Sequence, residues 1–459
     1  MTFFRLKFED FRSLFATYWI EITALSLYFL VLFPGRLNPD VEKSIALMQS
    51  GESTANWSAI YFRILQVLSF NGKTIAFASL TGLIVFFYSV HFFIGKSVLS
   101  MGHKKAIFRL LALTPFIPIF SLTVQHDVFA WSGTLIVIAY LLDGNRIDYS
   151  NYKDALRLVL VVICCSTSFI GIFCLVGFIF SLLIRRDYRA GWLILVCTVM
   201  IQVGSLFLGV AKAEPALKYI PLLGDLKCIA QDSDSRISPS EWQFLESLAP
   251  RENWETQESC LYADNAIFAY WEAGKIPVTD FILNWAKIGI DNPRILLLAH
   301  IHRSSQALPP PFFRGQPNAT TTDYFIPIGS NTKRSLQVFN EVIIDAPLNG
   351  EFTRQQLPIL SKLEPVVLMG AFVFNQNSMF WGWGGLWISV FAIYLLLFTR
   401  FSLIALMPIA FQMILLIGFS PLPDPRYVFG WIVMGLVSGT SAILTVSTWI
   451  RNRTDNRTQ

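Results

Sequence analysis

Long apolar runs along this chain alternate with short polar tracts that are mostly basic. Runs close to the ~20 residues that cross a bilayer occupy 13–33, 74–95, 106–124, 128–142, 192–210, 383–398, 403–419 and 428–450, and a longer run covers 156–184. Each reads as helix. The tracts carrying Arg5, Lys7 and Arg12; Lys96, Lys104 and Lys105; Arg146, Lys153 and Arg157; Arg185, Arg186 and Arg189; Arg400; and Arg451, Arg453 and Arg457 read as cytoplasmic by their positive charge. Both flanks of 156–184 are then inside. The run therefore reads as two short helices turning near 166–171, where CCSTSFIG gathers small residues and a glycine; one tilted helix is the alternative. The hairpin gives an all-α polytopic membrane protein of about ten spans with both termini cytoplasmic.

Composition agrees. In 459 residues 54% are hydrophobic and only 15% charged, with a mean hydropathy of +0.51, too apolar for an ordinary soluble protein. The net charge of +5 resides in the tracts between runs, so it reports topology and not a nucleic-acid partner. No Walker loop and no GxGxxG after a strand occurs, which argues against an ATP-driven pump. The first apolar run is long enough to span and lacks a small-residue cleavage site, so it reads as a span and not a signal peptide.

This topology divides the chain into a transmembrane module at 1–211, an exoplasmic segment at 212–381 and C-terminal spans at 382–459. On the outer side it leaves 34–73, the turn Gln125-His126-Asp127, all of 212–381, and PLPDPRY at 421–427. The long outer segment reads as mainly helical and irregular. Ser238-Pro239-Ser240-Glu241 carries a capping box with proline at the first helical position. A second helix over 278–302 is broken near Asp291-Asn292 by Gly289 and Pro293, and 309–315 and 321–332 read as irregular chain. Cys228 and Cys260 lie outside, where they form a disulfide or remain two buried thiols; Cys164, Cys165, Cys174 and Cys197 lie in apolar runs. Metal-site spacing is absent: His300 and His302 fall on different helical faces, and the sequence leaves any divalent-cation requirement open.

In the first outer loop, Asn38 is a good N-cap, Pro39 suits the first helical position and Gly51 suits the stop, so 39–50 reads as a short helix. Val41, Ile45 and Met48 share a face expected to rest on the membrane interface. Asp40 sits in the first turn, where the macrodipole stabilises its anion. A second amphipathic helix follows, with Trp57, Ile60, Ile64, Leu65 and Leu68 on its stripe, Arg63 and Gln66 off it, and Asn71-Gly72 at its end. Glu21, near the middle of the first span, is expected to face a partner or a wet cavity, since a carboxylate at that depth costs about 2.5 kcal/mol or more.

An acidic residue just after the first span, two interface helices, an HD-type turn between the third and fourth spans, a short-helix hairpin and a late exoplasmic segment together resemble the type-C glycosyltransferases, which use polyprenyl-phosphate-linked sugars. More narrowly, NPD at 38–40, QHD at 125–127, VTDFILNWAKIGIDNPRILLLAHIHR at 278–303 and PDPRY at 423–427 are similar to a group of bacterial multi-pass membrane proteins of that superfamily. The chain departs from the superfamily where an acidic pair is frequent, because Glu42 points away from Asp40 on a helix, and it lacks the WWD-type signature of oligosaccharyltransferases.

The resemblance implies sugar transfer from a polyprenyl-phosphate donor to a cell-envelope glycan or lipid acceptor, on the outer face of a bacterial inner membrane. Such transfer needs a carboxylate to take the acceptor hydroxyl's proton and cations to hold the departing phosphate. Asp40 is the candidate base, with His126 and Asp127 orienting it or the substrate. Arg426, Tyr427 beside it, and Arg63 are the candidate donor-binding residues. Against these stand a solvated carboxylate, a snorkelling arginine and a helix-capping His-Asp turn. A lipid-linked glycan transporter or flippase, or a non-catalytic glycan-binding membrane protein, are the other classes open to such a chain.

Overall fold

The computed structural model describes residues 2–37, 39–51, 54–55, 58–97, 99–143, 147, 151–212, 219–256, 260, 266, 268–304, 307, 355–368, 384–398, 402–419 and 425–455. Helices α1 (Thr2–Val31), α2 (Pro39–Gln49), α3 (Ala59–Leu68), α4 (Ala76–Gly95), α5 (Met101–Leu113), α6 (Phe116–Leu122), α7 (His126–Asp143), α8 (Tyr152–Cys165), α9 (Phe169–Ile184) and α10 (Tyr188–Leu206) form the N-terminal part. The stretch 220–303 contributes α11 (Ile220–Gln231), α12 (Pro239–Leu248), α13 (Arg251–Glu255), α14 (Tyr270–Lys275), α15 (Val278–Asp291) and α16 (Pro293–Arg303). Last come α17 (Gly384–Phe398), α18 (Ser402–Ala405), α19 (Met407–Phe419) and α20 (Phe429–Asp455). Among the described residues three helices are long and apolar enough to cross a membrane, Ala76–Gly95, Tyr188–Leu206 and Phe429–Ile450, and a fourth if α5 and α6 count as one span. Shorter apolar helices include Ala16–Val31, Phe169–Ile184, Gly384–Phe398 and Met407–Phe419.

The run at 106–124 is not one straight helix. Its halves α5 and α6 meet at 68°, because Pro115 disfavours helix at Thr114, which is extended at ψ 108°. The run at 156–184 is a hairpin, with α8 and α9 separated by the buried turn Ser166-Thr167-Ser168. That outcome excludes the single tilted helix.

α7 is the axis of the bundle. Every residue from His126 to Leu141 is buried, as befits a helix apolar on all sides. Glycines let neighbours approach closely: a Cβ at Gly133 would lie 2.5 Å from Cys165 Sγ, one at Gly177 would lie 2.5 Å from Pro408 Cα, and one at Gly435 would lie 2.5 Å from the Trp387 carbonyl. Without a hydrophobic force between helices in lipid, such contact and buried hydrogen bonds hold the bundle. Gln412 is one such tie: Nε2 donates to Thr134 Oγ1 at 3.0 Å and to the Ile170 carbonyl at 3.2 Å, and Oε1 accepts from Trp431 Nε1 at 3.1 Å. Glu21 is another, 1% exposed on α1 and paired with Arg109 Nε of α5 at 2.8 Å.

Charged residues collect at one end of the bundle. There Lys96 meets Asp143 at 2.5 Å, Arg157 meets Asp154 at 2.7 Å, and Arg185 donates to the carbonyls of Tyr140 and Leu141 at the end of α7.

At the other end two short parallel pairings tie loops to helices. β1 (Arg36–Leu37) pairs with β3 (Thr123–Val124), and β2 (Thr54–Ala55) pairs with β4 (Ala211–Lys212) just beyond α10. The first pairing corrects the reading of α2. Val41, Ile45 and Met48 do not rest on the membrane interface but are buried among Tyr61, Phe62, Leu65, Val124 and Phe129, because the strand draws the loop over the helix ends. On α3 the buried stripe is Tyr61, Phe62 and Leu65. The stop that follows it uses three consecutive residues of positive φ, Phe70, Asn71 and Gly72.

Helices α11 to α16 have their own core of Leu223, Leu226, Leu245, Trp254, Phe281 and Ile288. Its expected signals appear: Ser238 and Glu241 form the capping box of α12, and α15 and α16 break at Asn292, whose side chain bonds Arg236 N at 2.6 Å and Arg236 O at 2.9 Å. Cys228 and Cys260 form a disulfide. The tracts 309–315 and 321–332 lie outside the described residues.

Candidate functional site

The β1–β3 register, Arg36 opposite Thr123 and Leu37 opposite Val124, sends two chain segments out of the same end of a two-stranded sheet. One enters α2 at Pro39 and the other enters α7 at His126. Asp40 and Asp127 each occupy the second position of a helix, where the N-terminal dipole favours an anion. The parallel pairing makes these two helix starts neighbours. Of Asp40 only the backbone is described; its side chain lies outside the described residues.

Around the start of α7 three elements converge. Asp127 is 1% exposed, and neither carboxylate oxygen has a hydrogen-bond partner among the described residues. Its neighbour His126 holds Nε2 3.4 Å away. The Tyr61 ring of α3 stands edge-on to the His126 ring at 5.7 Å; burial, and then the Asp127 charge, push its phenol well above the usual tyrosine value. The α8–α9 turn closes the third side: Thr167 Oγ1 donates to the His126 carbonyl at 3.1 Å, and Ser58 Oγ before α3 donates to the Ser166 carbonyl at 3.1 Å. A buried carboxylate and a phenol that lacks an acceptor among the described residues carry a desolvation cost of a few kcal/mol. Chemically, such a group accepts a hydrogen bond or proton from a hydroxyl, or neutralises a cation. The expected tight turn at 125–127 is thus the first turn of a buried helix.

Arg36, on β1 beside this cluster, is 4% exposed and forms an ion pair with Glu364. The partner reaches it from the far side of the 212–381 stretch, a sequence separation of 328.

The remaining candidates sit apart. Arg63 donates from Nε to the Leu208 carbonyl at 3.0 Å, again from Nη2 to that oxygen, and from Nη1 to Gln66 Oε1 at 2.5 Å. It therefore ties α3 to the chain just beyond α10. Tyr427 is half-buried in the 3-10 turn Pro425–Val428 that leads into α20, packed against the hydrophobic core of the bundle. The Arg426 side chain lies outside the described residues.

A second buried polar centre joins Asp225, which no sequence signal marks, to three residues of the 278–303 tract. Asp225 of α11 is fully buried, paired with Arg303 of α16, accepts from Trp285 Nε1 at 3.0 Å and lies 3.3 Å from His300 Nε2. The other face of His300 places Nδ1 3.1 Å from the Ile417 carbonyl of α19, so this centre also fastens α11 and α16 to the bundle. Burial lowers the Arg303 pKa to about 10, which leaves it charged at neutral pH. Burial likewise lowers that of His300, with the Ile417 carbonyl acting the other way. The His302 side chain lies outside the described residues, among which no three His, Cys, Asp or Glu side chains converge as a metal site.

Compared with known proteins, the chain matches no family model, no curated protein and no solved structure.

Proposed function

We propose that this chain is a membrane glycosyltransferase of the type-C layout, with ten spans and both termini on the cytoplasmic side of a bacterial inner membrane. It moves a sugar from a polyprenyl-phosphate donor to a glycan or lipid acceptor on the outer face. The observation that carries this reading is the β1–β3 pairing, which makes the helix starts of Asp40 and of His126-Asp127 neighbours at the end of the bundle opposite the basic cluster. The disulfide in the outer segment accords with an oxidising exterior.

In this mechanism Asp40 takes the proton of the acceptor hydroxyl as the new glycosidic bond forms and the lipid phosphate leaves with its bonding electrons. Asp127, buried and open to a further hydrogen bond, orients the acceptor or Asp40, and Arg426 neutralises the departing phosphate.

The test is donor turnover by purified protein in lipid. Asp40→Asn keeps size and polarity but not basicity, so turnover falls by about a hundredfold or more while donor binding survives. A folded Asp40→Asn protein that works at the parental rate would remove Asp40 as the base and leave Asp127 next in line. Movement of the lipid across the bilayer without consumption of the sugar would instead assign a flippase. Glycan binding with neither would assign a non-catalytic receptor.

A further inference from the structure

Residues 355–368 cross the first outer loop and are held there by polar contacts. Gln355 Nε2 donates to the Lys73 carbonyl at 2.7 Å, Gln356 Nε2 donates to Glu364 Oε2 at 3.2 Å, and Glu364 Oε1 pairs with Arg36. Little apolar burial backs them. Ile359, Leu363 and Val366 are exposed, and within this segment only Leu368 is buried. Contacts of this kind are easily exchanged, because polar groups on a half-exposed segment gain nearly as much from water.

Arg36 is the opposite case. It is buried on β1, just past the end of α1, at the level where a membrane span gives way to its outer loop, and opposite Thr123 on the strand that leads to His126 and Asp127. A guanidinium so deep keeps its charge, and stripping the anion from a buried pair costs more than the pair itself contributes. Glu364 is therefore more readily exchanged for another anion than simply withdrawn. A lipid phosphate can take its place, since its oxygens engage the planar fork as a carboxylate's do, and the monoester left when the sugar departs carries more charge than a carboxylate.

We propose that Arg36 is a phosphate-binding residue of the transfer site, and that the Glu364 carboxylate holds the place of the lipid phosphate until that phosphate displaces it and releases residues 355–368. The assignment to a lipid phosphate rests on the transferase reading above. The latch itself needs only an anion, and it couples occupancy of the site to opening of the segment that crosses it.

Full-length protein in nanodiscs is titrated with decaprenyl phosphate in one arm and inorganic phosphate in the other. Binding is measured directly, and release is read as the rate of tryptic cleavage after the exposed Lys362. Decaprenyl phosphate should speed that cleavage severalfold, while inorganic phosphate at equal concentration should not. Glu364→Gln should cleave fast without ligand and bind decaprenyl phosphate about tenfold more tightly, because the competing carboxylate no longer lowers the competent population. Arg36→Gln should bind it more weakly and lose the ligand-dependent acceleration. An equal response to inorganic phosphate would overturn the assignment to a lipid. Parental affinity in both variants would overturn the latch and leave the transferase reading standing, whereas no decaprenyl phosphate binding by any form would overturn both.

Discussion

Replacing Gln412 by leucine tests how the bundle holds together where apolar packing cannot discriminate one helix from another. The amide joins α19 to α7, α9 and α20 through three hydrogen bonds, to Thr134, Ile170 and Trp431. Interhelical bonds in membranes average about 0.6 kcal/mol, so losing three costs about 2 kcal/mol. Trp431 is fully buried, and its indole N–H left without an acceptor adds about 1–2 kcal/mol. Gln412→Leu should therefore lower stability by about 3–4 kcal/mol in a reversible steric-trapping or mixed-micelle unfolding assay. Adding Trp431→Phe to the leucine variant removes the stranded donor and should recover about 1 kcal/mol relative to the sum of the single changes. If Gln412→Leu unfolds within about 0.5 kcal/mol of the parent, the three bonds contribute nothing net and the bundle is held by shape alone.

Two further outcomes follow from the topology and the outer segment. Arg186 is exposed on the α9–α10 connection, so Arg186→Cys should be labelled by a membrane-impermeant maleimide only after permeabilisation; labelling of intact cells would sink the ten-span topology. At the start of α12, burial alone would raise the pKa of Glu241, but its hydrogen bonds at Ser238 and the Lys287 ammonium outweigh that and hold it below the ordinary value. A carboxylate whose folded pKa is depressed contributes stability above its unfolded pKa, near 4.5, and loses it as pH falls through the folded value. Thermal melts should therefore show the parent losing stability relative to Glu241→Gln below about pH 4.5; parallel curves through that window would mean the capping box carries no linked charge.

Local signals are legible in the sequence and long-range ones are not. The starts of α2 and α12, the stop at Gly72 and the break at Asn292 all follow from a proline, a glycine or a capping side chain within a few residues, and the turn between α8 and α9 follows from the basic tracts on both flanks of its run. Thr114-Pro115 also announces the bend between α5 and α6, but hydropathy carries straight through it. The apolar stripe of α2 is visible, yet what covers it is not, because β1 and β3 lie far apart in the chain. Asp225 reads only as a polar interruption of IPLLGDLKCIAQ, since Trp285 and Arg303 lie 60 and 78 residues away. The QHD triplet stands out as polar between apolar runs, and nothing local says that its aspartate is fully enclosed.

The hairpin has a consequence for the lipid around it. α8 has 14 residues and α9 has 16, so at ~1.5 Å per residue they are about 21 and 24 Å long against a hydrocarbon layer of about 30 Å. On the ten-span reading both helices are shorter than the bilayer they cross, and the leaflets must pinch inward to meet them at a cost of fractions of a kcal/mol per Å. The turn between them is the one that touches His126. The membrane is then thinned beside the Asp127 cluster, and a headgroup in the outer leaflet is carried down toward the buried carboxylate by the shape of the bilayer itself.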